Sequence, residues 1–228
     1  NHFVGLNDIE GLKILLHKVI IFSMPIFVIV IMSIVVFGDN IAITWAGNEY
    51  VESGIILSLL AVNYMYSFIR VPGANILVAL VRIKEMYWIN IGAVIVFWGG
   101  VLLTQDKLGV NSFAIAKLFS GTLIMIFYFR FILKFLDKGI IEFLKTTVNH
   151  LIIPIIIQLS FLLIIRDYLP NSKGNLNLLI VIGVGGIGSL MAFITLYLTS
   201  NYYKKEFNHY LVKILNAKIS KNFSGLHM

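Results

Sequence analysis

The chain has 228 residues, of which 59% are hydrophobic and 13% carry a charge, and its formal net charge is +7. An ordinary soluble domain is roughly 45–50% apolar and about 25% charged, so this composition excludes a water-soluble fold. The positive charge does not indicate a nucleic-acid partner, because the lysines and arginines gather at the ends of apolar segments, where they orient membrane proteins. There is no cysteine, which excludes a disulfide framework and a cysteine metal site.

Six apolar segments are each long enough to cross roughly 30 Å of hydrocarbon as a helix. We therefore predict an all-α fold, a polytopic transmembrane helical bundle of about six membrane-spanning helices. The predicted division is a cytoplasmic amphipathic lead-in at 1–18, a six-helix bundle at 19–198 with spans at 19–37, 55–81, 87–104, 112–133, 148–165 and 176–198, and a basic amphipathic cytoplasmic tail at 199–228.

Prolines lie inside three of these predicted spans. Pro25 is in the first, Pro72 stands beside Gly73 in the second, and Pro154 is in the fifth. At 1.5 Å per residue the second span is longer than the bilayer is thick, so it must tilt or kink. Because proline removes a helical hydrogen bond, we predict that the second span kinks at Pro72. We also predict hinges at the three prolines and at Gly73.

Basic residues are concentrated on alternate connections. The N-terminal stretch, the second and fourth connections and the tail are rich in lysine and arginine, whereas the first connection has none, the third has Lys107 alone and the fifth has Arg166 and Lys173. The positive-inside rule then places both ends of the chain on the cytoplasmic side of the membrane. The chain begins with Asn1 and lacks a signal-peptide pattern, so we expect it to be part of a longer protein.

The sequence contains one misleading motif. Gly183, Gly185 and Gly188 satisfy the dinucleotide pattern G-x-G-x-x-G, but they lie in the middle of an apolar span without a preceding strand. Small residues at this spacing instead favour close packing of membrane helices. The five histidines stand near termini or interfaces without metal-ligand spacing, and no span contains a carboxylate pair. We therefore predict no catalytic residue, no metal, no cofactor and no enzymatic activity.

Arg70 and Lys117 are the candidate binding residues, because both lie inside predicted spans. A charge there costs about 2.5–3.5 kcal/mol on insertion scales. They either face a polar cavity and attract an anion such as a phosphate, or reach an interface, Arg70 at the end of a shortened span and Lys117 by snorkelling. Four polar residues either line the same cavity or hydrogen-bond between helices, namely Asn63, Ser67, Asn75 and Gln158.

Several segments in order resemble one family. They are the runs at 24–26, 44–50, 55–60, 74–77 with Arg82 and Lys84, and 109–114. Together they are similar to the second half of the polysaccharide (O-antigen) flippases, members of the multidrug/oligosaccharidyl-lipid/polysaccharide exporter superfamily. The resemblance covers roughly residues 7–133, and Asn111 and Ser112 replace the second glycine of one family motif.

The resemblance implies an inner-membrane flippase that moves an undecaprenyl-diphosphate-linked oligosaccharide to the outer leaflet by alternating access. Such proteins have two helical lobes around a central cationic cavity, and this chain would be most of the second lobe. The implied partners are membrane lipids, the lipid-linked oligosaccharide, the first lobe and, as a further candidate, a polysaccharide polymerase. The predicted spans contain no aspartate or glutamate that could carry a proton or sodium relay. If the exporter uses such a relay, it would have to lie in the first lobe or be replaced by the membrane potential.

Two rival functions remain open at this point. A drug or cation exporter of the same superfamily should prefer acidic residues in its cavity. A membrane-embedded polysaccharide polymerase or glycosyltransferase should have a large outer loop, whereas the predicted outer connections have only about 7–17 residues on this segmentation. A simple membrane anchor would leave Arg70 without an explanation.

Overall fold

The predicted all-α fold class is confirmed by the computed structural model, which describes residues 8–205, 207 and 208. Within that part the chain forms helices joined by short connections and contains no strand. The α-helices are α1 Ile9–Val36, α2 Gly38–Ala46, α3 Ser53–Met65, α4 Ser67–Ala79, α5 Ile83–Leu108, α6 Asn111–Phe135, α7 Ile140–Thr147, α8 Ile152–Arg166 and α9 Asn175–Thr199. Two 3₁₀ turns, Asn48–Tyr50 and Asn149–Leu151, lie between them.

Five helical segments in the described part are long and apolar enough to cross a membrane. They are α1, α5, α6, the segment Ile140–Arg166 that combines α7 and α8, and α9. A sixth span results when α3 and α4 count as one, with a bend of 42° between them. The predicted number of about six spans therefore agrees with the structure when the bent pair is taken as one span.

The first helix is longer than the predicted first span. Helix α1 begins at Ile9, where the Asp8 carboxylate accepts a hydrogen bond of 2.8 Å from the backbone N–H of Gly11. Its 28 residues extend over about 42 Å, more than the hydrocarbon thickness. The second half of the predicted lead-in is thus continuous with the span, and residues 1–7 lie outside the described part of the chain. Of the predicted tail, residue 206 and residues 209–228 also lie outside it.

The bend in the second span is not at Pro72. The helix breaks at Tyr66, and Pro72 lies inside the continuous helix α4. The two halves have separate close contacts with α6: Asn63 of α3 lies against Gly121, and Gly73 of α4 lies against the ring of Tyr128. Because each half is held by its own contact with α6, the bend falls between the two contacts.

The other two prolines do not interrupt their helices. Helix α1 continues through Pro25, whose missing N–H removes the normal partner of the Ile21 carbonyl four residues earlier. The hydroxyl of Tyr203, which follows α9, donates a hydrogen bond to that carbonyl. Pro154 is in the first turn of α8, where a backbone N–H has no helical partner and proline is tolerated.

The connections gather at two opposite ends of the bundle. At one end, Lys13 of α1 forms an ion pair of 2.8 Å with Asp137, which lies between α6 and α7. At the other end, Arg166 at the end of α8 forms an ion pair of 2.7 Å with Asp39 of α2. We call these the Lys13 end and the Arg166 end. Each ion pair thus joins two segments that the pattern of basic residues predicts to lie on the same side of the bundle.

Helix α1 lies at the centre of the bundle. It packs against α3 and α4 on one side and against α8 and α9 on the other, while α5 packs mainly against α6. Gly185 and Gly188 of α9 are both buried in such contacts, as the packing interpretation of the glycine motif predicts. A Cβ at Gly188 would lie 2.9 Å from Leu162 Cδ2, and one at Gly185 would lie 3.3 Å from Ser33 Cβ.

The tightest backbone contact joins α2 and α3 at the Arg166 end. A Cβ added to Gly54 would lie 2.6 Å from Asp39 Cα and 2.7 Å from Asp39 N. Both atoms belong to the backbone and cannot move aside as a side chain can. In contrast, a Cβ added to Gly99 in α5 would meet nothing within 4 Å.

These two glycines give a matched stability prediction. Gly54→Ala should destabilise the protein by about 1–3 kcal/mol because it overpacks a backbone contact. Gly99→Ala should stabilise it by up to about 1 kcal/mol, because alanine has the higher helix propensity. Thermal unfolding of the two variants in detergent measures the difference. A Gly54→Ala variant with the same unfolding midpoint as the wild type would contradict the packing described here.

Candidate cationic cavity

The two cations singled out from the sequence lie on one cavity. It has a volume of about 310 Å³ and lies between α4, α5 and α6. We call it the cationic cavity. Its lining consists of Arg70, Asn90, Ala93, Val94, Phe97, Trp98, Lys117, Ser120 and Ile124. The structure thus brings together two residues that are 47 positions apart in the sequence.

Arg70 reaches the cavity from the second half of the bent span. It lies one turn into α4 and about 14 Å along the helix from its last residue, Ala79. Its neighbours Ile69 and Gly73 are buried, and Gly73 packs on Tyr128 of α6. The side chain is half-buried. The close approach of α4 to α6 therefore holds Arg70 beside the cavity.

Lys117 reaches the same cavity from α6, about 9 Å along the helix from its first residue, Asn111. Its Nζ lies 5.9 Å from the centre of the Phe97 ring on α5, within the range of a cation–π interaction. Ala116 and Ser120 beside it are buried, whereas Lys117 is exposed at the cavity wall. The aromatic ring offsets part of the cost of placing the ammonium group inside a span.

Neither cation has a carboxylate partner. Among residues 8–205, 207 and 208, the ion pairs involve other basic residues, and the cavity lining contains no aspartate or glutamate. Arg166 at the end of α8, in contrast, forms an ion pair with Asp39. The cationic cavity therefore carries two uncompensated positive charges, which favour an anion.

The rest of the lining adds neutral polar and aromatic groups that sequence reasoning missed. Asn90 contributes an amide and Ser120 a hydroxyl, and the rings of Phe97 and Trp98 form part of the α5 wall. The Ser120 hydroxyl donates to the Lys117 carbonyl at 3.1 Å, so its oxygen remains able to accept a hydrogen bond. Asn90 could have been found from the sequence, because it is a polar residue inside the predicted third span. Nothing in the sequence distinguishes the rings of Phe97 and Trp98 from other aromatic residues of the spans.

The four other polar candidates do not line this cavity. Asn63 and Ser67 are buried on the face of the bent span that continues to Arg70, at intervals of four and three residues. Asn75 is exposed at the other side of α4. The proposed hinge residues Pro25 and Pro154 are also outside the lining.

Gln158 belongs to a different polar cluster, between α1, α8 and α9. It is fully buried, and its Nε2 donates to the Ile29 carbonyl at 2.8 Å and to Ser33 Oγ at 3.1 Å. Ser33 Oγ in turn lies 3.1 Å from Ser189 Oγ. Gln158 thus follows the second of the two interpretations, a hydrogen bond between helices.

A second polar cavity opens at the Arg166 end. Its volume is about 390 Å³, and the Asp39–Arg166 pair lies in its wall with Asn40, Asp167 and Asn171. Its charged groups include both signs, so it lacks the positive excess of the cationic cavity. No group of three or more histidine, aspartate or glutamate side chains in the described residues could hold a metal ion.

The chain was also compared with known proteins. No family model matches it. No curated protein and no solved structure is significantly similar to it. The resemblance to polysaccharide flippases therefore stays a prediction from sequence motifs, and function is argued from the cationic cavity.

Proposed function

We propose that this chain is part of an exporter that carries an anionic, sugar-bearing lipid across a bacterial plasma membrane. The substrate is an undecaprenyl-diphosphate-linked oligosaccharide from which cell-surface polysaccharide is made. The protein moves this lipid across the membrane without changing its covalent structure. The observation that carries the proposal is the pair of uncompensated cations, Arg70 and Lys117, on one cavity inside the helical bundle.

The lining suits both parts of such a headgroup. A diphosphate binds a guanidinium through two parallel hydrogen bonds and an ammonium as a point charge. Sugar hydroxyls can bond to the amide of Asn90, and their apolar faces can lie against the rings of Phe97 and Trp98. The lipid tail would remain in the bilayer beside the cavity.

The bent span supports alternating access. Arg70 is on the α4 half, beyond the break at Tyr66, whereas Lys117 is on the continuous helix α6. A change of the 42° bend would alter the separation of the two cations without unfolding either helix. The hinge of this proposal is therefore Tyr66 and its neighbours.

The rival functions have less support. A cation or drug exporter needs negative charge at its site, and the cationic cavity has no carboxylate in its lining. A polymerase or glycosyltransferase needs catalytic groups on a large outer connection, and the connections at the Arg166 end are the short segments between α2 and α3, α5 and α6, and α8 and α9.

We further propose that the Lys13 end faces the cytoplasm. Near it lie the basic connections between α4 and α5 and between α6 and α7, whereas the Arg166 end has few basic residues. The start of α1 and the residues after α9 would then both be cytoplasmic.

Removal of either cavity cation should reduce export. Arg70→Ala and Lys117→Ala should each lower surface polysaccharide on the order of tenfold or more at unchanged protein level, because a hydrogen bond to a charged group contributes roughly 1.5–3 kcal/mol. The measurement is surface polysaccharide and membrane abundance in the bacterium that carries the gene.

Two exposed cations outside the cavity provide matched controls, Arg130→Ala for the arginine and Lys107→Ala for the lysine. Both controls should export normally. Wild-type polysaccharide levels in the Arg70→Ala and Lys117→Ala cells would remove the cavity from the mechanism.

The orientation can be tested with single cysteines, because the chain has none of its own. Lys145→Cys at the Lys13 end and Lys173→Cys at the Arg166 end replace exposed residues. A membrane-impermeant thiol reagent added to intact cells should label Lys173→Cys and leave Lys145→Cys unlabelled until the cells are opened. The reverse pattern would invert the proposed topology.

A further inference from the structure

An apolar cavity, separate from both polar cavities described above, lies toward the Lys13 end between α1 and α9. Its volume is about 490 Å³, within the range of roughly 300–1,000 Å³ that is usual for ligand sites. We call it the α1–α9 groove. Its walls come from α1, α9 and the residues just after α9, and they are Phe22, Pro25, Ile26, Leu190, Phe193, Ile194, Leu196, Tyr197, Tyr203 and Phe207.

The groove presents an apolar surface throughout. Its lining contains no charged residue, and the two hydroxyl groups in it already have partners. Tyr203 donates to the Ile21 carbonyl, and Tyr197 donates to Asn208 Oδ1 at 3.2 Å. Because both hydroxyl groups already donate, the lining offers no free donor to a phosphate, and its apolar walls suit a hydrocarbon chain.

Pro25 helps to build the groove. Its ring forms part of the wall, and its missing N–H leaves the Ile21 carbonyl for the Tyr203 hydroxyl. This bond ties the segment after α9 to the middle of α1. Further contacts hold the same segment, since Ser200 Oγ lies 3.1 Å from His150 Nδ1 and the rings of Phe22 and Tyr203 meet edge to face at 5.9 Å. These contacts hold Tyr203 in the wall of the groove.

The mouth of the groove toward the Lys13 end is basic. Lys204 follows the wall residue Tyr203 and precedes the wall residue Phe207 by three positions, which places Lys204 and Phe207 side by side on a helix. Its side chain is exposed. Lys18 lies one turn before Phe22 on α1 and already has a partner, so Lys204 is the cation that we assign to the headgroup. Lys205 lies on the opposite side of the same turn.

We propose that the α1–α9 groove binds an anionic phospholipid, with one acyl chain in the groove and the phosphate beside Lys204. The apolar wall accounts for the chain, and the charge at the mouth accounts for the preference for an anionic headgroup. This site is independent of the transport proposal, because none of its residues lines the cationic cavity.

Native mass spectrometry of the full purified chain tests the site. The added lipids are phosphatidylglycerol, phosphatidylcholine and a polyprenyl phosphate, each at equal concentration. The wild type should retain phosphatidylglycerol at least fivefold more than phosphatidylcholine. Ile194→Trp, which fills the groove from a half-exposed position, should lower the retention at least fivefold, and Lys204→Gln should remove the preference for the anionic lipid.

Each variant has a matched control. Ile156→Trp places the same ring on an equally exposed position of α8 outside the groove, and Lys205→Gln removes the neighbouring charge on the far side of the turn. Both should bind as the wild type does. A size-exclusion profile and an unfolding midpoint equal to those of the wild type show that Ile194→Trp is folded. If that variant does not fold, Leu190→Trp fills the same wall.

Three results would overturn the proposal. One is unchanged phosphatidylglycerol retention in the folded groove-filling variant. Another is equal retention of the anionic and neutral lipids by the wild type. The third is stronger retention of the polyprenyl phosphate than of phosphatidylglycerol, which would assign the groove to a polyprenyl carrier. The two proposals fail separately. Loss of export in the Arg70→Ala and Lys117→Ala variants, or its absence, does not change the expected binding of phospholipid to the α1–α9 groove, because the two cavities share no lining residue.

Discussion

The cost of holding a positive charge inside a hydrocarbon-length helix governs the arrangement of this bundle. A lysine or arginine at the middle of a span costs about 2.5–3.5 kcal/mol on insertion scales, and two such charges on one cavity also repel each other. The fold accommodates them by opening a cavity where α4, α5 and α6 meet, with an aromatic ring beside Lys117. The proposed transport depends on that arrangement, because no carboxylate in the described residues compensates either charge.

Helix α6 connects the packing of the bundle to the cavity. Its Gly121 lets Asn63 of α3 approach, and its Tyr128 packs on Gly73 of α4. Lys117 is on the same helix, toward the Arg166 end. A change in the bend at Tyr66 would therefore move Arg70 relative to Lys117 while the contact at Asn63 is kept. Glycines at these contacts allow the helices to approach closely, as is common between membrane helices.

The spans, the all-α class and the two cations could be predicted from the sequence for one reason. Segments of this length and apolarity must form helices that satisfy their own backbone, and a charge within them stands out. The bend could not be placed correctly, because local proline chemistry favours Pro72 whereas contacts with α6 decide the break at Tyr66. Likewise, the sequence could not tell whether Gln158 faces a cavity or bonds to Ile29, since that depends on which helix lies opposite. The short helix α2 and the bond from Tyr203 to α1 also arise from tertiary contacts.

Binding of a polyprenyl diphosphate to the purified chain in detergent, measured over a range of salt concentrations, tests the central claim most directly. The account predicts that the wild type binds the diphosphate more tightly than the corresponding alcohol, and that affinity falls as salt screens the two cations. The double variant Arg70→Gln, Lys117→Gln should bind both compounds equally and without dependence on salt. Equal affinity of the wild type and the double variant for the diphosphate would contradict the account, because the cationic cavity would then take no part in recognising the anion.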